Sequence, residues 1–324
     1  MRAPFSFIKS SGGPPTLSSL NYVQGDIAGG GKSILATGTN CASVTAVTIG
    51  GNSATITGQT STTVTFTLPV HASGAVAVSL TNPSGTSGTL AFTYWSPVQI
   101  TGIDTYLDAN KNWAPGASAV WTDQNSVRTW SQAVGISQPA QTASVFGTLP
   151  SLRFARTSPS YLDASVTRNF SATGSSAFFV QATTTNVTVA TSAPFNVPMN
   201  AIGWLGGWDG FGLSGGDVAL ESYDSTGTTS TLLKSTSLSL NDGVARMLGA
   251  TATTAGAATL YVGSSVQATG SSKAPFGYSR IGVGQGANDG YTGDIGAIVL
   301  VSGVITAGDL ASLNAWSQQR FGTP

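Results

Sequence analysis

Few side chains in this sequence are able to move protons. It holds a single histidine, His71, a single glutamate, Glu221, and a single cysteine, Cys41. His71 opens a polar turn ending at Gly74, so a Ser-His-Asp triad would have to reach across domains, and a histidine-ligated zinc site lacks ligands. Glycoside hydrolysis needs two carboxylates about 5–9 Å apart on one face. Asp217 and Glu221, four residues apart, share one face of a strand but lie about 13 Å apart along it. The chain is poorly furnished for proton transfer, and neither enzyme activity nor a cofactor is expected.

The remaining chemistry is that of oxygen ligands and flat rings. Asp108-Ala-Asn110-Lys-Asn112 has the opening spacing of a calcium loop, yet Trp113 stands where an EF-hand requires glycine, and no glutamate closes it. An Asx-rich turn is the stronger reading and Ca²⁺ the weaker candidate, so no metal site is expected. Asp26-Ile-Ala-Gly-Gly-Gly-Lys32-Ser33 looks like the end of a phosphate loop, but its first position is Asp and a strand follows where a helix is needed; nucleotide binding is set aside. Gly203-Trp204-Leu-Gly-Gly-Trp208-Asp209-Gly-Phe211 and Gln285-Gly-Ala-Asn288-Asp289-Gly-Tyr291 place aromatic rings beside carboxylates and amides, the pairing that a sugar site uses. Trp204 and Phe211 fall at strand positions and read as core. Trp208 and Asp209, expected in a turn, and Asn288, Asp289 and Tyr291 are the glycan-binding candidates.

What must position these residues is a set of short strands. Charged residues are only 8% of the chain, balanced at 13 basic and 13 acidic, with 41 glycines. That balance gives no electrostatic footprint for nucleic acid or an anionic membrane. No run of about 18 apolar residues occurs, so no membrane span is expected. With Cys41 alone, no intrachain disulfide forms. The opening MRAPFSFIKSSGGPP lacks the apolar core of a secretory signal. Such a chain fits a particle assembled in the cytosol and released by lysis; a trimmed extracellular protein is the alternative.

Residues 1–15 carry no strand pattern and offer Phe5, Phe7 and Ile8 as apolar teeth, so they are expected to be an arm that anchors the protein to a particle. Residues 16–96 alternate: Val64, Phe66 and Leu68, then Val76, Val78 and Leu80, then Leu90, Phe92 and Tyr94, separated by turns at Gly50-Gly51-Asn52 and Asn82-Pro-Ser-Gly85. The wording of this stretch, with Gly38-Thr-Asn40 after its second strand and the hairpin Val47-Thr-Ile49-Gly50-Gly51, resembles the IPT/TIG immunoglobulin-like domain. That resemblance implies a spacer, adhesive module or virion appendage without a catalytic site.

Ser96-Pro97 marks a boundary. Beyond it, Leu107-Asp108-Ala109, then Trp121-Thr-Asp123, then Pro139 with Leu152-Arg-Phe154 resemble the opening of concanavalin A-like, laminin-G-like jelly rolls. The closing stretch adds to this. A run apolar enough to be buried on both faces, Ile295–Val301, precedes one amphipathic helix with Thr306 as N-cap, Asp309 three residues on, Leu310, Leu313 and Trp316 at helical spacing, and Gly322 as stop. Residues 98–324 therefore read as a larger jelly-roll sandwich, and the whole chain as all-β with one C-terminal helix. The resemblances imply a non-enzymatic virion surface protein of a bacteriophage, a capsid decoration or fibre-like protein; a secreted bacterial adhesin is the alternative, and a glycan-active hydrolase ranks third. The expected partners are capsid or tail proteins and a cell-surface glycan, with a homo-oligomer left open.

Overall fold

The computed structural model describes residues 12–116, 119–125, 128–132, 138–155, 161–168, 170, 172–183, 196–202, 208–214, 216–223, 230–272, 278–282 and 291–324. For 166–168, 196–202, 208–210, 212–214, 221–223, 230 and 278–280 it describes the backbone. The chain divides into two compact units, Met1–Ser96 and Pro97–Pro324.

In the first unit, alternation does the folding. Val64 and Phe66 of the strand Thr63–Phe66 are wholly buried while Thr63 and Thr65, which alternate with them, are half-buried, the period of two that packs one face on a core. Two sheets result. One orders Ser19–Leu20, Ile34–Thr37, Thr63–Phe66 and Ile56–Gln59; the other is built on Gly74–Asn82, flanked by Leu90–Trp95 and Ala46–Ile49. Ile49 pairs with Asn52 across Gly50 and Gly51, whose φ values of 57° and 86° are those of a tight primed hairpin turn that favours glycine. The phosphate-loop lookalike folds otherwise: Asp26 Oδ1 accepts the Ala28 amide at 2.6 Å, and the strand Ile34–Thr37 follows.

His71, half-buried in its turn, is held in place: its ring stacks on Tyr94 at 4.8 Å, with Nδ1 2.7 Å from the Ala72 carbonyl oxygen and Nε2 3.3 Å from that of Gly50. One expectation for this unit changes. The end of the N-terminal arm is not independent of the domain. Ser84 Oγ donates to the Gly12 carbonyl at 2.7 Å, and Asn82 Nδ2 and Asn40 Nδ2 donate to those of Gly13 and Pro14 at 3.1 and 3.0 Å. Phe5, Phe7 and Ile8 lie outside the described residues.

The second unit is a larger sandwich. Its first sheet runs Ala140–Phe146, Leu149–Phe154, Gly293–Ser302, Ser175–Ala182, Arg246–Ala252, Ala257–Val262, Ser265–Ser271, with Ile103–Asp108 on the remaining length of Gly293–Ser302. Its second sheet runs Trp113–Ala114, Val120–Thr122, Thr129–Ser131, Leu162–Arg168, Tyr278–Ile281, Asn196–Ile202, Trp208–Ser214, Asp217–Tyr223, Ser230–Lys234. Trp113, Trp121 and Trp130 are direct partners across three neighbouring strands, and the last two are wholly buried. Between the sheets lie Phe154, Phe179, Phe211, Leu248 and Ile298.

The helix Ala307–Phe321 forms as its signals require. Thr306 Oγ1 accepts the Asp309 amide at 3.1 Å, and Gly322 closes the helix at φ 71°. Leu313 and Trp316 are wholly buried. Trp316 meets Tyr106 edge-on at 5.7 Å and Phe321 at 5.3 Å, and Phe321 meets Phe146 at 5.4 Å. This contact needs Gly296: a Cβ there would stand 2.8 Å from Phe321 and 2.9 Å from Phe146.

Candidate ligand-binding site

The Asx-rich stretch with the opening spacing of a calcium loop is an ion-paired turn. Asp108 is buried; its Oδ1 accepts the Asn110 amide at 2.9 Å, and its Oδ2 lies 2.6 Å from Arg320 Nη2. Asn112 takes a left-handed conformation, φ 55°. A guanidinium already occupies the cation's place, so Asp108, Asn110 and Asn112 form an Asx turn rather than a calcium site. Among the described residues no group of three or more His, Cys, Asp or Glu side chains is placed to hold a metal ion.

Tyr291 also leaves the glycan candidates. It is wholly buried against Phe154, and its hydroxyl donates to Gln181 Oε1 at 2.9 Å. Burial, with Asp294 nearby, holds its hydroxyl well above the ordinary phenol range. A ring enclosed in this way offers no face to a sugar. Asn288 and Asp289 lie outside the described residues.

Trp208 and Asp209 are not in a turn: they begin the strand Trp208–Ser214, paired with Ile202 and Ala201. The register separates them. Leu162, Ile281, Met199, Phe211, Leu220 and Leu233 are successive partners across six strands, and of these Leu162, Ile281, Phe211 and Leu220 are buried in the core. Positions 211 and 209 therefore lie on the core side, and positions 210 and 208 on the opposite side. The two members of the expected pair cannot serve one ligand from one face.

One residue over, the same strands align Asp163, Arg280, Asn200, Gly210, Glu221 and Leu232 as successive partners. Leu232 at the end of this row is 53% exposed, which identifies the row as the sheet's outer face. Trp208 lies on that face two residues from Gly210; Tyr223 lies on it two residues from Glu221. Antiparallel direction carries those two aromatic positions alongside each other. Reading by motif could not find this row, because its members are scattered from 163 to 232 and beyond to 280.

Carboxylates elsewhere in the second unit serve the fold. Arg128 Nη1 lies 2.7 Å from Asp104, Arg153 Nη2 2.8 Å from Asp294, Lys234 Nζ 3.4 Å from Asp217, and Arg246 Nη1 2.5 Å from Asp242. Asp123 is wholly buried; its Oδ1 accepts the Tyr106 amide at 2.8 Å, and its Oδ2 has no hydrogen-bond partner. Burial pushes its carboxyl above the ordinary range, opposed in part by the Tyr106 and Asn125 amides and by Arg128.

Comparison with known proteins follows the two units. No curated protein matches the sequence. Among solved structures, the full extracellular region of plexin A4 is similar at 20% identity over 25% of this chain and 8% of that one, with a TM-score of 0.23. The binding domain of paraclostridial mosquitocidal protein 1 is similar at 8% identity over 66% of this chain and 52% of that one, TM-score 0.47. The binding domain of botulinum neurotoxin serotype D is similar at 15% identity, covering 66% of this chain and 51% of that one, TM-score 0.46. The chain thus spans about half the length of the two toxin chains and less than a tenth of the plexin. In the first unit the family is explicit: residues 15–94 match the IPT/TIG domain model.

Proposed function

We propose that this chain is a non-enzymatic binding and display protein, carried on the surface of a bacteriophage particle as a capsid decoration or fibre-like protein and directed at a host-surface glycan. In this reading residues 1–15 attach to capsid or tail proteins, the IPT/TIG unit is a spacer, and the larger sandwich is a concanavalin A-like lectin module that meets the ligand.

The disposition of the only glutamate supports binding over turnover. On the outer face of the nine-stranded sheet, Glu221 is four strands from Asp163, or about 19 Å at the usual strand spacing. Asp217, on its own strand, is about 13 Å away and is engaged by Lys234. Neither separation suits the roughly 5–9.5 Å that acid and base or nucleophile require in glycoside hydrolysis.

The test is incubation with a panel of bacterial surface polysaccharides, scoring retention of the protein and release of reducing ends. Retention without new reducing ends is expected. Reducing ends that vanish in Glu221→Gln would make the protein a hydrolase instead. Immunogold labelling of particles and of host cells locates it: gold on the cells alone favours the adhesin.

A further inference from the structure

Resting on that binding reading, we propose that the outer face of the nine-stranded sheet around Gly210 is a subsite for an uncharged sugar ring, with Trp208 and Tyr223 as stacking positions and Asn200 and Glu221 as hydrogen-bonding positions. The juxtaposition comes from register alone. Asn200 and Glu221 are the two direct partners of Gly210, one on each neighbouring strand. Two strand spacings, about 10 Å, separate them, and the position between them carries no side chain. Glycine inside a strand weakens the sheet, and one of its recurrent uses is to let a ligand approach the backbone closely.

This trough is closed at one end. Gly212, next along the same face, is partnered by Ala219, which is wholly buried. In the other direction stand Trp208 and Tyr223, and the side flank is the exposed Leu232. Aromatic positions beside an amide and a carboxylate match a pyranose, whose C–H face is apolar and whose rim is hydroxyl.

Charge selects the sugar class. The formal charges along the row are those of Asp163, Arg280 and Glu221, an excess of one negative, and the charge adjoining Gly210 is that of Glu221. A sugar carboxylate would meet like charge there, whereas neutral hydroxyls would donate to Glu221 and exchange hydrogen bonds with Asn200.

The experiment displays the protein multivalently on streptavidin and probes an array of neutral hexose oligosaccharides printed beside sialylated ones, followed by calorimetry of the protein with each hit. Neutral hits are expected. Glu221→Gln and Trp208→Ala should each weaken affinity by about tenfold or more, and Gly210→Val, which fills the trough, should remove it. Asp209→Asn, on the core side, should bind as the parent does. Unfolding midpoints check each variant, and the isosteric Glu221→Gln keeps the test decisive if Gly210→Val fails to fold. Neutral-sugar binding left intact by Glu221→Gln and Trp208→Ala would overturn this subsite while sparing the binding function. Selective capture of sialylated glycans would overturn the charge assignment, and a parent protein that binds no saccharide would overturn both readings.

Discussion

Arg320 Nη2 lies 2.6 Å from Asp108 Oδ2 although 212 residues separate them, and the side chains are 1% and 0% exposed. This pair joins the terminal helix to the strand that opens the second unit. Breaking one side of a buried pair strands the other charge without a counterion. Arg320→Met should therefore lower the stability of this unit by about 3–5 kcal/mol. Asp108→Asn combined with Arg320→Met should recover part of that loss, as measured by denaturant unfolding of the isolated residues 97–324 or of the full chain's second transition.

The helix is also held by shape. Trp316→Ala should cost about 3–5 kcal/mol, because a wholly buried indole leaves a cavity. Gly296→Ala adds one methyl and should still cost about 1–3 kcal/mol, since Phe146 and Phe321 must both shift. An unchanged unfolding midpoint in either variant would contradict the packing described above.

Stability should depend on pH through Asp123 with a definite sign. A carboxyl raised in the folded state favours folding when protonated, so its contribution is complete below the unfolded-state value and is lost as pH rises through the folded one. Asp123→Asn keeps an acceptor for the Tyr106 amide and removes the buried charge. It should raise the thermal midpoint at neutral pH, and in strong acid the variant should lose that advantage. Asp242 acts in the opposite sense: hydrogen bonds from Arg246 hold its carboxyl well below the usual range, so its contribution fades as pH falls. Asp242→Asn should flatten the acid limb of the profile.

A chain starting at Gly12 should keep the full stability of the first unit, whereas one starting at Pro15 loses the hydrogen bonds that Ser84 and Asn82 give to Gly12 and Gly13. Asn82→Ala should cost about 1–3 kcal/mol, since Asn82 is buried and also accepts the Ser84 amide at 2.9 Å. If residues 1–11 anchor the protein, the Gly12 chain should fold and fail to join particles; normal incorporation would place the attachment surface on one of the folded units.

Local signals in the sequence were faithful wherever the structure depends on neighbours along the chain. Alternation at Val64 and Phe66 gave a strand, Gly50-Gly51 a hairpin, and Thr306 with Asp309 a capped helix, so the all-β class with its single described α-helix was legible. The candidate site was not, because it depends on which strands lie side by side. Tyr291 looked like a loop aromatic beside Asn288 and Asp289 and is core, since its hydroxyl finds Gln181, more than a hundred residues away. Trp208 and Asp209 looked like one recognition pair, but Phe211 fixes the strand's inner face and sends the two to opposite sides. Nothing in the sequence around Arg320 pointed to Asp108 as its partner.

The closure of the second unit also bears on how it is made. Its opening strand, Ile103–Asp108, pairs with Gly293–Ser302, and its buried aspartate waits for Arg320. Translation delivers these partners in sequence, so for most of its synthesis the nascent sandwich has an unpaired edge at Ile103–Asp108 and an unmatched carboxylate at Asp108. The IPT/TIG unit can complete its own sheets long before then. A message cut short ahead of Gly293 would thus release a finished first unit joined to a sandwich unable to close, a form that proteases and chaperones readily distinguish from the complete chain.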